Sequence, residues 1–216
     1  MGQERSLPTP GRADSASTNP FAALRRFVRL RAPQECCELC SQPLAAEHPH
    51  LLNCDNRQLL CACEACAILF SGQQNGRFRR VPRDVQRLAD FVLSDQQWQA
   101  LGIPINLAFF TADSKTGRVL ALYPSPGGAV EAEIPPDTWQ ELADANPVLR
   151  QLEPDVEALL VNRVGQARDY YRVPIDQCYR LVGLVRTHWR GLGGGAEVWG
   201  VIAQFFAELR AKSVSS

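Results

Sequence analysis

The sequence predicts an α+β fold in which a small cysteine-rich module precedes a small antiparallel sheet and two C-terminal helices. Three observations indicate this order. Two Cys-x-x-Cys pairs lie between residues 37 and 66. Apolar and charged residues alternate along residues 129–134, as in a half-exposed antiparallel strand. Two apolar stripes at helical spacing then follow between residues 174 and 209.

Composition sets the domain organisation that we expect. The chain has 216 residues, and 45% of them are hydrophobic, which is enough to build a core. Residues 1–18 are rich in serine, proline and charge, and we expect a disordered tail there. We expect residues 19–76 to hold a short helix and the cysteine–histidine module. Residues 77–216 should form an α+β domain that ends in two amphipathic helices.

The elements of the second domain can be predicted in order. Ser94 and Gln97 have the spacing of a capping box at a helix start. Turn residues at 113–117 and 124–128 separate three apolar segments. We therefore predict strands at 105–110, 118–123, 129–134 and 156–162, and a helix near 136–144. Pro174 can open the first C-terminal helix, and the glycines of 191–195 separate it from the second.

The two Cys-x-x-Cys pairs are Cys37 with Cys40 and Cys63 with Cys66. Two thiolates three positions apart can face one point from a tight turn, and a second pair can complete a tetrahedron around a metal ion. A knuckle followed by a helix that carries the second pair is the arrangement of a treble-clef or zinc-ribbon-like module. We therefore predict that these four cysteines hold a structural Zn²⁺.

The same segment contains further candidate ligands, namely Cys61, His48 and His50. Three arrangements are open: the four cysteines alone, one histidine with three of the cysteines, or two metal ions. Pro49 stiffens the link between the histidines, so we expect that the two imidazoles do not bind one metal. We expect Cys36 to be a spectator, and Cys54 and Cys178 to be buried residues of the core.

Iron is the alternative metal. Two Cys-x-x-Cys pairs also hold the iron of rubredoxin-like sites, and Cys61, Cys63 and Cys66 with one more cysteine could hold an iron–sulfur cluster. Rubredoxin knuckles usually carry glycine after the second cysteine, whereas Ser41 and Ala67 follow here. We therefore prefer zinc to iron.

Charge and hydropathy limit the partners. The formal net charge is zero, which disfavours binding to nucleic acid or a membrane through overall electrostatics. Arginines flank the cysteine module at 25–31 and 77–87, and this basic face is the only feature that favours nucleic acid. Residues 169–172 are polar and aromatic, and we expect them at an interface. No run of apolar residues is long enough to span a bilayer, and no secretory signal opens the sequence. We therefore expect a cytoplasmic protein.

Five segments together resemble a known family: residues 35–40, 48–51, 60–66, 171–179 and 194–199. They are similar to a bacterial family of unknown function that is encoded beside actinobacterial-type, high-affinity nickel–iron hydrogenases. The resemblance implies no enzymatic activity that can be transferred. It implies an accessory role in hydrogenase assembly, maturation or electron transfer, with a hydrogenase subunit as the partner.

The resulting hypothesis is a zinc-binding accessory protein, a binding protein in preference to an enzyme, which acts through protein–protein contact. Two alternatives are retained. One is an electron-transfer protein with a rubredoxin-like or iron–sulfur centre, and the other is a regulator that binds nucleic acid through the arginine-rich face.

Overall fold

The computed structural model describes residues 35–71, 76–191 and 193–215. These residues belong to one compact unit. The tail expected at 1–18 and the helix expected after residue 19 lie outside the described residues. The domain boundary expected between residues 76 and 77 stays a prediction.

A three-stranded antiparallel sheet and one helix form the cysteine module. The strands are β1 (His50–Asn53), β2 (Gln58–Cys61) and β3 (Phe78–Arg80), and the helix is α1 (Glu64–Ser71). The hairpin of β1 and β2 places β1 in the middle, in the order β2-β1-β3. The sequence analysis predicted a helix that carries the second cysteine pair, but not this hairpin.

A seven-stranded sheet forms the centre of the larger part. Its order is β10-β4-β9-β8-β5-β6-β7, and every pair is antiparallel except β10 with β4. The strands are β4 (Gln86–Arg87), β5 (Leu107–Ala112), β6 (Val119–Ser125), β7 (Gly128–Ala132), β8 (Glu157–Asn162), β9 (Asp169–Pro174) and β10 (Val214–Ser215). The four predicted strands correspond to β5, β6, β7 and β8, and no end is shifted by more than two residues.

Helices cover both faces of this sheet. They are α2 (Asp95–Ala100), α3 (Pro136–Ala145), a 3₁₀ helix (Pro147–Gln151), α4 (Ile175–His188) and α5 (Gly195–Lys212). One core contains residues of α4 and α5 packed on one face of the sheet. A second core contains residues of α2 and α3 on the other face. The α+β class with antiparallel sheets and C-terminal helices is therefore confirmed.

Local sequence signals explain where several helices begin. Ser94 accepts a hydrogen bond from the Gln97 amide and the Gln97 side chain reaches back, so the predicted capping box at α2 is confirmed. Pro136 opens α3, and Pro174 directly precedes α4. None of the described helices has both the length and the apolarity needed to cross a bilayer.

Residues 169–172 require a correction. We expected this polar and aromatic segment at an interface, but it forms most of β9, and Tyr171 is fully buried between β4 and β8. The charged ends of Asp169 and Arg172 have partners within the chain. Internal pairing of the charged groups of Asp169 and Arg172, and not an external surface, therefore accounts for the charged positions of this segment.

Candidate metal centre

Four cysteines converge between the first knuckle and the start of α1. Cys37, Cys40, Cys63 and Cys66 each place a sulfur within 4.8 Å of the other three. The sulfurs of Cys40 and Cys63 are 3.6 Å apart. Sulfurs bound to one tetrahedral zinc are separated by about 3.8 Å, because each Zn–S bond is about 2.3 Å long. The four thiols thus have the spacing of a tetrahedral metal site, which we call the four-cysteine site.

The first pair lies on a tight backbone knuckle. The Cys37 amide donates to the carbonyl of Gln42 at 2.8 Å, and the Ser41 amide donates to the carbonyl of Cys37 at 2.7 Å. Ser41 has a φ of 62°, which is the left-handed conformation that glycine adopts most easily. The serine after the second cysteine thus itself adopts the left-handed conformation, so a glycine is not required at this position of the knuckle.

The second pair lies at the start of a helix, as the sequence predicts. Cys63 directly precedes α1 and Cys66 is in its first turn. The Cys66 amide donates to the sulfur of Cys63 at 3.5 Å. Amide donors and the positive end of a helix dipole both favour thiolates, so this position suits metal ligands.

The pKa values of Cys37 and Cys66 are shifted in opposite directions when no metal is bound. Burial opposes the charge on Cys37, but backbone amides, first that of Cys63, outweigh it and lower the pKa of Cys37 to about 6. Burial, together with the neighbouring thiols, raises the pKa of Cys66 to about 12. Crowded thiolates repel one another, and a divalent cation at their centre removes that cost.

The remaining candidates form a second group. One ligand atom from each of His48, His50 and Cys61 lies within 4.8 Å of the other two. The ring centroids of the histidines are 5.0 Å apart. The expectation that Pro49 keeps the imidazoles from sharing a metal is therefore not supported, since the turn brings the two rings together. No histidine joins the four-cysteine site.

The other cysteines lie outside both groups, and none of the eight cysteines forms a disulfide. Cys178 is fully buried on α4, as expected for a core residue. Cys54 is only half-buried, and its pKa is raised by burial and by the carboxylate of Asp155. Cys36 is exposed. The positions of Cys178 and Cys36 agree with the core role and the peripheral role expected for them, whereas Cys54 is not a buried residue of a core as we expected.

Three of the five arginines between residues 77 and 87 of the expected basic face have acidic neighbours within 3.5 Å in the described residues. Arg79 pairs with Asp155 at 3.4 Å, Arg80 with Glu64 at 2.7 Å, and Arg77 approaches Asp55 at 3.5 Å. These pairs reduce the local positive charge that a nucleic-acid site would need. Arginines 25–31 lie outside the described residues.

Sequence reasoning missed one residue beside the second group. The Nδ1 atom of His50 lies 2.8 Å from a carboxylate oxygen of Asp176, which is 126 positions further along the chain. No spacing rule connects such distant residues. The one available signal was that both lie in segments that carry the family resemblance.

The sequence of the chain was compared with those of known protein families. A family of unknown function (DUF5947) matches residues 36–213, which include every candidate ligand and nine of the ten strands. No match was found among curated proteins or among solved structures.

Proposed function

We propose that this chain, which belongs to the family of unknown function DUF5947, is a zinc-binding accessory protein that acts by contact with another protein. The observation that carries the proposal is the convergence of four thiols at tetrahedral spacing. Zinc is the common occupant of closed four-cysteine sites, where it has a structural role and leaves no coordination position for a substrate.

The small core of the cysteine module supports a structural role for the metal. That core consists of Cys37, Leu44, Leu51, Ala62, Cys66 and Ala67. Two of these six residues are themselves candidate ligands, and two more are alanines. Because so little apolar surface is buried, metal binding has to contribute a large share of the folding free energy of the module.

An exposed apolar patch on α1 supports a role in protein contact. Ile68, Leu69 and Phe70 expose 61%, 69% and 41% of their surface. They follow the second cysteine pair directly, so a metal that orders α1 also fixes the position of this patch. Contiguous apolar residues at a surface are typical of protein-binding sites. From the family resemblance, we propose that the partner is a subunit of a nickel–iron hydrogenase.

Metal analysis of the purified protein tests the metal. We expect zinc, a colourless protein, and loss of the module's fold in the Cys63→Ser variant, because three sulfurs hold the ion poorly. Circular dichroism and thermal melting report the fold, and Cys36→Ser is the matched control that should retain both metal and stability. Unchanged structure and melting temperature after complete removal of the metal would contradict a structural role.

Iron is the one alternative that the geometry favours, because four thiolates in a tetrahedron also suit a rubredoxin-like centre. Absorbance of anaerobically purified protein separates the two metals. A red or brown chromophore with iron in stoichiometric amount would replace the zinc proposal with an electron-transfer function.

The proposed contact can be tested with purified subunits of an actinobacterial-type, high-affinity nickel–iron hydrogenase. We expect the double variant Ile68→Glu, Leu69→Glu to bind at least ten-fold more weakly, since charges would replace the centre of an apolar interface. Val92→Glu is the control, because Val92 is also exposed (57%) but lies outside the module. Equal binding of both variants, or no binding of the native chain, would reject this partner or this surface.

A further inference from the structure

The second group of candidate ligands is built by strand pairing. In the hairpin of β1 and β2, His50 lies directly opposite Cys61. Side chains of directly paired residues lie on the same face of a sheet, so the imidazole and the thiol are neighbours. Pro49 then turns the chain so that the ring of His48 meets the ring of His50 edge-on, at an interplanar angle of 84°.

Hydrogen bonds fix which nitrogen of each ring is free. Nδ1 of His48 donates to the carbonyl of Ala45 at 2.9 Å, and Glu35 has a carboxylate oxygen 3.7 Å from the same nitrogen. Nδ1 of His50 donates to Asp176 at 2.8 Å. Because carbonyl and carboxylate oxygens only accept, each Nδ1 carries a proton, and each Nε2 has a lone pair available. Histidines that bind a metal ion through one ring nitrogen usually donate a hydrogen bond from the other ring nitrogen to a carboxylate or a backbone carbonyl.

The free nitrogen of His48 also needs a partner. The side chain of His48 is 93% buried, since only 7% of its surface is exposed. Its Nε2 is buried and has no hydrogen-bond partner in the described part of the chain. An unpartnered buried polar atom of this kind destabilises the fold, and a bound metal ion would supply the missing partner.

We propose that Nε2 of His48, Nε2 of His50 and the sulfur of Cys61 bind a second Zn²⁺, separate from the ion of the four-cysteine site. Cys61 releases its proton to solvent when the ion binds, and both imidazoles bind in their neutral form. Three protein ligands leave the fourth tetrahedral position to water or to an external donor. His50 and Cys61 are only partly buried, so small molecules can reach this side.

The charges around the site favour a cation. The carboxylate of Glu38 accepts a hydrogen bond from the Cys61 amide at 2.6 Å, and Asp176 lies behind His50. These two acids and Glu35 surround the three ligands without belonging to the set. An open, three-ligand site differs in kind from the closed four-cysteine site, and it does not depend on the proposed accessory role.

Counting zinc in four proteins tests the inference. The native chain should bind two ions, and His48→Ala and Cys61→Ser should each bind one while keeping the fold by circular dichroism. His188→Ala is the matched control and should bind two, because His188 is the third histidine and lies at the end of α4. One ion in the native chain, or two ions in both site variants, would overturn the inference.

The two sites can fail independently. A single ion that is lost in Cys63→Ser but kept in Cys61→Ser would leave only the four-cysteine site. A single ion that is kept in Cys63→Ser but lost in Cys61→Ser would mean that only the second site binds metal. If both site variants unfold, the count in the native chain decides between two ions and one.

Cobalt substitution tests the open position. Co²⁺ in the native protein should change its visible absorption when imidazole or azide is added, and Co²⁺ in Cys61→Ser should not. An unchanged native spectrum at saturating imidazole and azide would show that no coordination position is open to an external donor. The inference of an open, three-ligand site would then be wrong.

Discussion

Glu157 is a buried polar residue whose charge is satisfied by specific partners within the fold. It is buried at the start of β8, with only 5% of its surface exposed. Arg172 on β9 donates two hydrogen bonds to its carboxylate, at 2.9 Å and 2.6 Å. The amide of Glu153 donates a third, at 2.8 Å. The carboxylate is therefore paired in the geometry that suits a buried charge.

We predict that Arg172→Met destabilises the protein by about 3–5 kcal/mol, because it leaves the buried charge of Glu157 without its cationic partner. Urea unfolding measures the change. Arg118→Met is the control at an exposed position and should shift the free energy of unfolding by less than about 0.5 kcal/mol. The double variant Arg172→Met, Glu157→Leu should recover most of the loss. A loss of equal size in the double variant would show that packing, and not the charge, is responsible.

At the scale of residues, spacing predicted the ligands that lie close together in sequence. Cys37, Cys40, Cys63 and Cys66 were found because a knuckle requires two cysteines three positions apart. The hydrogen bond between His50 and Asp176 was not predicted. It depends on the tertiary placement of α4 beside β1, and no periodic pattern in the sequence records that placement. Local chemistry can be predicted from sequence, whereas contacts between distant segments cannot.

Among the elements, the turn between β5 and β6 shows how one side chain fixes a hairpin. The carboxylate of Asp113 accepts hydrogen bonds from the amides of Lys115 at 2.8 Å and Thr116 at 3.1 Å. Gly117 closes the turn with a φ of 68°. Burial opposes the charge on Asp113, but these two amides outweigh it and lower the pKa of Asp113 below its ordinary value of 3.8.

We predict that Asp113→Ala costs about 1 kcal/mol of stability at pH 7. A lowered pKa in the folded state means that the carboxylate stabilises the fold above pH 3.8, and that this share is lost as the pH falls through the folded-state pKa. The difference between the two proteins should therefore shrink in acid. Urea unfolding at pH 7 and near pH 3 measures it. Glu131→Ala, at an exposed position of β7, should show no such trend, and a constant difference for Asp113→Ala would contradict the prediction.

Strands were predicted correctly where one face of the strand is exposed to solvent or where turn residues mark its ends. Prediction failed where polar residues of a strand form ion pairs or hydrogen bonds within the protein. Alternation indicated β7, and turn residues bounded β5 and β6. β9 was missed because Asp169 and Arg172 make it look like a surface segment. Neither β4 nor β10 was predicted, because two residues are too few to show any period.

For the molecule as a whole, the central feature is that β1 belongs to two cores. Leu51 is buried in the core of the cysteine module, and Leu52 is buried in the core formed with α4 and α5. Contacts across the boundary extend this connection, for Arg79 donates to the carbonyl of Pro154 at 3.3 Å and His50 donates to Asp176. The sequence predicted two regions in series. It did not indicate that they share a strand, because adjacent leucines do not reveal which core each one enters.

The shared strand also restricts how the length of the module can vary among relatives. Side chains change face at every residue of a strand, so one inserted or deleted residue in β1 would exchange Leu51 and Leu52 and turn His50 away from Cys61. Insertions and deletions among relatives should therefore concentrate in the 54–57 loop and be absent from residues 50–53. An alignment of the family would show whether chain lengths vary in this way.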